Sequence, residues 1–244
     1  NLDAALVASV MMESGTERFD HAEWSRLLAA SVSSGLVDYG RMKAERNLLD
    51  AYLARVAEAP LAKLSRPEVF ALLANAYNAL TVRAILDHPA IKGIKEIPGV
   101  WDKTTHRVGG FQVTLDTVEH AVLRPFYQDP RVHFALNCAS RSCAALPPYA
   151  LDGAQLDAQL DALRNAFLTD PKQVRVENGE LAVSSYFKWF TGDFTNPEWK
   201  GAAKSIPAYV RPHATAVVRA FIDSKGGEPE LEFRLLRRPR EFAL

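Results

Sequence analysis

The spacing of hydrophobic positions predicts helices in the N-terminal third of the chain. The segments "HAEWSRLLAASV" and "RMKAERNLLDAYLARVAEA" place apolar side chains three and four positions apart, which is the spacing of one helix face. A third helix is predicted to begin after Ser65, with Glu68 completing a capping box, and to end before Pro89. This helix is apolar nearly all round, so we expect it at the centre of the fold.

Shorter segments follow in the rest of the chain. "HRVGGFQVTL" and "QVRVENGELAVS" are predicted hairpins with turns at Gly109-Gly110 and Asn178-Gly179. "DTVEHAVLRPF", capped by Asp116, "DAQLDALRNAFL" and "IPAYVRPHATAVVRAFI" are predicted helices, and "RVHFALN" and "ELEFRLL" are predicted strands. We therefore expect an α+β fold, with helices packed around a small antiparallel or mixed sheet and a helix-rich N-terminal part.

The net charge argues against binding to nucleic acid or an anionic membrane surface, and the hydropathy argues against a transmembrane segment. Lysine plus arginine number 29, and aspartate plus glutamate also number 29. The chain therefore has no charge excess that would attract nucleic acid or an anionic membrane surface. No uninterrupted apolar run approaches the roughly 20 residues that span a bilayer, so we expect no transmembrane segment.

Both cysteines lie in one stretch, "VHFALNCASRSCAALPP", which allows three interpretations. Cys138 and Cys143 could form a disulfide, which requires Cα atoms within about 7 Å of each other. They could bind a metal together with His120 and His133, but this spacing matches no usual zinc pattern, and we expect no resident metal or cofactor. The third interpretation is one nucleophilic cysteine with a bystander, and a nucleophile needs a base within hydrogen-bond reach.

The candidate bases are His120 and His133. If the segment around His133 is a strand, side chains alternate between its faces, and His133 and Cys138 point to opposite sides. His120 lies in the first turn of its predicted helix, where the positive end of the helix dipole favours the neutral imidazole that a base requires. Asn75 or Asn78 on the central helix could orient that ring.

Simpler roles are open for each of these residues. A buried, inert thiol is the ordinary role of a cysteine, and histidines usually lie at the surface or in packed positions. Asn75 and Asn78 could tie down backbone groups, because buried amides need hydrogen-bond partners. Spacing alone therefore leaves the disulfide, the metal site, the nucleophile and the structural roles as alternatives.

Four motifs in order resemble one known family. They are "NAYNAL", "VGGFQVTLDTVEHAVLR", "DPRVHFALNCASRSCAALPPY" and "LAVSSYFKWFTGDF". Together they resemble the DUF547 family, a domain of unknown function found in bacteria, animals and plants, and their order makes the resemblance specific. It covers residues 65–195. We therefore expect one domain over 1–244, with N-terminal helices at 1–64, a family core at 65–195 and a C-terminal helix and strand at 196–244.

The resemblance implies a particular pair of side chains. The family pattern has a glutamate-histidine pair where this chain has Glu119 and His120, and a cysteine at the position of Cys138. Plant members carry serine in place of Cys143 and lack a histidine at the place of His133. The resemblance therefore favours Cys138 with His120, makes Cys143 accessory and argues against a disulfide as a family-wide feature.

The family is remotely similar to papain- and transglutaminase-like cysteine hydrolases, although here the histidine precedes the cysteine, the reverse of papain. The resemblance implies a hydrolase or transferase acting on an amide or thioester of a small-molecule or peptide ligand. Cys138 would be the nucleophile and His120 the base, with Asn78 or Glu119 orienting the ring. The residues expected to contact substrate are Asn75, His133, Asn137, Ser140, Arg141, Ser142 and Cys143.

Two other functions are compatible with the same sequence. One is a ligand- or protein-binding domain on the same fold, with part of "SSYFKWFTGDF" as its recognition surface. The other is a thiol redox role of the two cysteines. Bacterial relatives often carry a signal peptide, so we expect a periplasmic or cell-envelope location after its removal, with the cytoplasm as the alternative.

Overall fold

The computed structural model describes residues 2–11, 15–139 and 143–234. Three of the residues expected to contact substrate, Ser140, Arg141 and Ser142, lie outside these ranges. The described chain is mainly helical, and its seven short strands form three small sheets. This confirms the predicted helix-rich α+β fold.

The N-terminal part consists of helices, as the hydrophobic spacing predicted. They are α1 (Leu2–Met11), α2 (Ala22–Ser31), α3 (Tyr39–Ala44), α4 (Arg46–Ala57) and α5 (Arg66–Asp87), with a short 3-10 turn at Leu61–Lys63. The second predicted helix is divided at Glu45, which ends α3 and begins α4. Its apolar face is nevertheless buried along α4.

Helix α5 is the central element of the fold. Of its 22 residues, 17 are buried. Its length and composition would allow it to cross a membrane, but 89% of its most apolar window is buried inside the protein. The predicted capping box is absent, because Ser65 makes no side-chain cap and the Glu68 carboxylate instead accepts a hydrogen bond from Arg18 Nε at 3.2 Å.

Three small sheets complete the architecture. They comprise β1 (Val32–Ser33) with β2 (Leu36–Val37), β3 (His106–Val108) with β4 (Phe111–Val113), and β5 (Val174–Glu177) with β6 (Glu180–Ser184) and β7 (Leu231–Arg234). Both predicted hairpins are confirmed, since Gly109-Gly110 and Asn178-Gly179 have the positive φ angles that a tight type I′ turn requires. In the third sheet β6 is antiparallel to β5 and parallel to β7, so the sheet is mixed.

The remaining helical segments are short, apart from α8. They are a π-helix (Thr117–Leu123), α6 (Arg124–Tyr127), α7 (Val132–Ala135), α8 (Leu156–Thr169), α9 (Tyr186–Trp189), α10 (Thr191–Thr195), α11 (Ile206–Val210), α12 (Ala216–Ser224), and 3-10 turns at Ile94–Glu96, Gly153–Gln155 and Arg211–His213. Asp116 makes no side-chain cap for the π-helix. The N–H of Thr117 instead donates to Thr114 Oγ1 at 3.1 Å.

The predicted strand "RVHFALN" is wrong, because its centre is the single helical turn α7. A short apolar run cannot distinguish a strand from a buried helix by periodicity alone. Two local features favour the turn here. Pro130 suits the start of a helix, and the Asp129 carboxylate accepts the backbone N–H of Arg131 at 3.0 Å.

Buried apolar side chains form two clusters that meet at α7. The first cluster includes α2, α4, α5 and the π-helix, and the second includes part of α8, the three-stranded sheet and α9–α12. Val132 and Ala135 belong to the first cluster, whereas Phe134 belongs to the second. The segment that carries the cysteines leaves α7 at this boundary, so it lies between the two parts of the core.

Candidate functional site around Cys138

Two buried asparagines hold the backbone that follows α7. Asn78 on α5 donates from Nδ2 to the carbonyl of Ala135 at 2.9 Å and accepts the N–H of Asn137 at 2.8 Å. Asn137 donates from Nδ2 to the carbonyl of Ala144 at 2.7 Å, which joins the two ends of the cysteine-bearing loop. Asn78 therefore fixes the approach to Cys138 rather than orienting a histidine ring.

Cys138 and Cys143 form a disulfide, with Cα atoms 6.0 Å apart. Of the alternatives that spacing left open, the structure therefore shows the disulfide. Neither sulfur is a free thiolate in this oxidised state. Cys143 is buried, whereas Cys138 is half-buried, and its Sγ lies 3.8 Å from the hydroxyl of Tyr186. No group of three or more histidine, cysteine or acidic residues that could hold a metal ion occurs in the described ranges.

His133 lies on α7 and is 2% exposed. Its Nε2 is 2.8 Å from Oδ2 of Asp193 on α10, and its ring stacks on Phe190 at 4.1 Å. An ionised carboxylate only accepts hydrogen bonds, so Nε2 carries the proton. The Nδ1 lone pair has no hydrogen-bond donor among the described residues. Burial lowers the pKa of His133 although the hydrogen bond to Asp193 opposes this, so the ring is neutral at pH 7.

Asp193 also pairs with Arg124, which follows the π-helix. Nε and Nη2 of Arg124 donate to the two carboxylate oxygens at 2.7 and 3.0 Å. Burial by itself raises the pKa of Asp193, but hydrogen bonds from His133 and Arg124 hold it below its usual value. Arg124 Nη1 also donates to Nδ1 of His120 at 2.9 Å. A continuous polar chain therefore connects His133, Asp193, Arg124 and His120.

His120, the predicted base, lies towards the surface. Its side chain is 42% exposed, and it occupies the fourth position of a π-helix rather than the first turn of an α-helix. Neither His120 nor His133 hydrogen-bonds to Cys138 anywhere in the described structure. Tyr186 contacts the Cys138 sulfur, and its ring centroid is 6.3 Å from that of His133. The structure therefore brings His133 closer to the surroundings of Cys138 than the predicted strand would allow.

Glu119 is the inward-facing residue of the predicted glutamate-histidine pair. Its side chain is 14% exposed. Burial, and then the negative charge of Glu119, raise the pKa of Tyr77 on α5, and the same charge acts on His133. The nearest Glu119 oxygen is 4.0 Å from Nδ1 of His120. The Glu119 carboxylate therefore lies near both the buried His133 and its sequence neighbour His120.

Two residues of this site, Arg124 and Asp193, were not predicted, and Tyr186 was expected only as part of a recognition surface in the binding-domain alternative. Asp193 is separated from His133 by 60 positions, so no local spacing connects them. One signal was present in the sequence. Asp193 is the single carboxylate in the aromatic segment "SSYFKWFTGDF", and a charge in an apolar environment requires a partner.

A family model covers the middle of the chain. Residues 61–168 match the model described as a protein of unknown function, DUF547. This confirms the resemblance carried by the first three motifs. No curated protein and no solved structure matches the chain.

The DUF547 match is shorter than the predicted family core at its C-terminal end. It includes Asn78, His120, His133 and Cys138 but ends within α8. The fourth motif, which supplies Tyr186 and Asp193, follows the matched residues. The site is therefore formed jointly by the DUF547 segment and the chain that follows it.

Asn75 belongs to a different part of the DUF547 segment. It donates to the carbonyl of Leu151 at 2.8 Å and accepts the N–H of the same residue at 2.9 Å. Its Nδ2 also lies 3.3 Å from Nδ1 of His21, and the hydroxyl of Tyr52 lies 2.8 Å from the same nitrogen. Asn75 thus ties two segments to α5, and burial lowers the pKa of His21 to about 4.

This histidine leads to a prediction about acid stability. Between the ordinary pKa of 6.5 and the folded pKa of about 4, the unfolded chain binds a proton at His21 that the folded protein does not. The free energy of unfolding should therefore fall by about 3 kcal/mol from this residue as the pH drops through that range. Urea unfolding of wild type and His21→Gln between pH 7.5 and 4.5 measures the effect. Equal pH dependence of the two proteins would contradict it.

Proposed function

We propose that the reduced protein is a cysteine-dependent acyl hydrolase or acyltransferase. Cys138 is the nucleophile, His133 is the general base and Asp193 orients the base. One observation carries the proposal: the 2.8 Å hydrogen bond from His133 to Asp193 occupies Nε2 and leaves Nδ1 unprotonated. That nitrogen belongs to a ring near Tyr186, which also contacts the Cys138 sulfur. A nucleophile, a neutral base and an orienting carboxylate are the components of this type of catalysis.

The backbone beside Cys138 supports the proposal. Ala139 has φ of 53°, in the left-handed region that residues with a Cβ rarely adopt. Its N–H donates to Oδ1 of Asn137 at 3.0 Å, which holds this conformation. Strained backbone is concentrated at functional sites. The N–H of Cys138 donates to no acceptor within the described ranges, and we assign it to the oxyanion of the tetrahedral intermediate.

The substrate is an amide or a thioester. Nδ1 of His133 takes the thiol proton of Cys138, and the thiolate attacks the carbonyl carbon. A sulfur–carbon bond forms, the bond from that carbon to the leaving nitrogen or sulfur breaks, and the imidazolium protonates the leaving group. Water that His133 deprotonates then attacks the acyl-cysteine, which releases a carboxylic acid and the thiol. An amine or thiol in place of water gives acyl transfer.

The disulfide sets a condition on this function. While Cys138 is bonded to Cys143 it has no thiolate, so no acyl-cysteine can form. A thiol reductant must first supply two electrons, which converts the disulfide to two thiols and itself becomes a disulfide. The oxidised protein is therefore inactive in this proposal, and the reduced protein is active.

The Cys143→Ser variant tests the proposal, because Cys138 is then the only cysteine in the chain. The variant is treated with p-nitrophenyl acetate at pH 7, and the acetylated residue is located by peptide mass spectrometry. We expect acetyl-Cys138 to form faster in the folded variant than in the same protein unfolded in urea. Disulfide-bonded wild type should give no acetyl-cysteine until a dithiol reductant is added.

Two results would contradict the proposal. One is a folded Cys138 no more reactive than the unfolded thiol, and the other is acetylation confined to lysines. Either result favours the second candidate function, a non-catalytic binding domain on the same fold. The observation that supports this candidate is the disulfide itself, since a permanent bond would give Cys138 a structural role.

A further inference from the structure

An apolar groove of about 1080 Å³ lies next to the proposed site. One wall is a face of α8, formed by Ala162, Leu163, Ala166 and Phe167. The segment 143–149, which begins at Cys143 and continues through Leu146 and two prolines, also lines the groove. The volume is slightly above the range of about 300–1,000 Å³ that is usual for ligand sites, and such sites are mostly apolar.

Small side chains on α8 leave this space open. Ala162 and Ala166 are four positions apart on one helix face, and both are exposed. Leu36, at the tip of the first hairpin, also lines the groove and is 67% exposed. Exposed apolar side chains that share one concave surface indicate a binding site.

Two residues that line the groove also contact the proposed site. Cys143 lines it and is bonded to Cys138. Phe167 also lines it, and the Phe167 ring stacks on Tyr186 with centroids 5.8 Å apart. Cys138 itself does not line the groove, but a ligand that fills the groove lies against Cys143, whose sulfur is bonded to that of Cys138.

One side of the groove is cationic. Among the described residues, its lining includes Lys172, Arg175 and Arg234 but only one carboxylate, Asp170. Both arginines pair with Glu177, at 2.8 and 2.7 Å. The ammonium group of Lys172 has no partner within the described structure. The lining therefore suits an apolar chain with an anionic or polar head.

We propose that this groove binds the acyl chain of the substrate, and that the substrate is a straight-chain fatty acyl thioester or amide. The chemistry at its end rests on the function proposed for Cys138. A chain of methylenes needs no hydrogen bonds, which matches walls of alanine, leucine, proline and phenylalanine. A peptide in the same place would bring backbone N–H and C=O groups that require partners.

Binding can be tested without any acyl chemistry, because disulfide-bonded wild type cannot form an acyl-cysteine. Octanoate, decanoate and dodecanoate are titrated into this protein by isothermal calorimetry. We expect affinity to rise by about fourfold for each added methylene that the groove buries. Ala166→Trp places an indole in the groove and should weaken dodecanoate binding by at least about tenfold, since it displaces several methylenes.

The matched control is Ala158→Trp, the same substitution at an exposed alanine of α8 that does not line the groove. It should bind dodecanoate as wild type does, and thermal unfolding should show that both variants are folded. No dodecanoate binding, or equal binding by the two variants, overturns the proposal. A protein that is dimeric in solution and becomes monomeric in Ala166→Trp also overturns it, because a second copy would then occupy the groove.

Ester hydrolysis separates this proposal from the catalytic one. In the Cys143→Ser background, the rate with p-nitrophenyl esters should rise from acetyl to dodecanoyl, and Ala166→Trp should remove only this increase.

Acetylation of Cys138 without a chain-length effect or dodecanoate binding contradicts the groove proposal and leaves the catalytic one intact. Dodecanoate binding that Ala166→Trp abolishes, with an unreactive Cys138, supports the groove and contradicts the catalytic proposal.

Discussion

Replacing His133 with glutamine in the Cys143→Ser protein is expected to slow acetylation of Cys138 by about 10²- to 10⁴-fold, the usual contribution of a general base. Glutamine can still donate an N–H to Asp193, so the buried carboxylate keeps a partner. It has no basic nitrogen to accept the thiol proton. The measurement is the rate of p-nitrophenol release in the first turnover, with thermal unfolding to show that the variant is folded.

The pH profile distinguishes a lost base from a structural disturbance. Burial lowers the pKa of His133 below its ordinary value of 6.5, so its base form is present through the neutral range. Acetylation with His133 intact should therefore continue down to about pH 6.5. Without the base, the rate should follow ionisation of an ordinary thiol, which has a pKa of about 8.5.

The matched control is His120→Gln, which tests the base that the family resemblance favours. His120 is half exposed and contacts Arg124, so its loss should change the acetylation rate only by a factor of a few. If His120→Gln removes the reactivity and His133→Gln does not, the assignment to His133 is wrong. The pairing predicted from sequence would then be correct.

Replacing Arg131 with methionine is expected to lower the free energy of unfolding by about 3–5 kcal/mol, the usual cost of removing one partner from a buried ion pair. The side chains of Arg131 and Asp129 are only 7% and 8% exposed, and Arg131 Nη2 is 2.6 Å from Asp129. Arg131 also bonds to Asp157 and Asp161, both at 2.7 Å. Among cationic partners in the described ranges, the substitution therefore leaves the buried Asp129 carboxylate with only the long contact to the exposed Lys200 ammonium at 3.9 Å. It also releases the start of α7 from α8.

Urea unfolding followed by tryptophan fluorescence measures this loss. Arg46→Met is the control, since the Arg46 side chain is 38% exposed and its pairs with Asp50 and Asp87 lie at the surface. It should cost about 0–1 kcal/mol. Adding Asp129→Leu to Arg131→Met should recover most of the lost stability, because no unpaired buried charge remains. A loss no larger than that of Arg46→Met would contradict the prediction.

Sequence reasoning succeeded where a pattern is local. The apolar spacing predicted α2, α5 and α8, and the dipeptides Gly109-Gly110 and Asn178-Gly179 predicted two hairpins. These features depend on backbone preferences and on which face of one element is apolar. The motifs also identified the family across the matched residues 61–168.

The same reasoning failed at α7. The seven-residue segment that contains it is buried throughout, and its apolar run is too short for its period to separate a helix from a strand. The error mattered for function, because strand alternation directed His133 away from Cys138. In the structure the chain turns after α7, held there by Asn78, and Tyr186 lies near both residues.

By itself, the sequence determined the helix-rich α+β fold, the resemblance of residues 61–168 to the DUF547 family, and the stretch in which Cys138 and its neighbours lie. These follow from interactions between residues close in the chain and from motifs that can be compared directly. Only the tertiary structure decided that Asp193 meets His133 and that Cys138 is bonded to Cys143. The first contact joins positions 60 residues apart, and the second depends on how a loop is closed, so neither could be obtained from spacing.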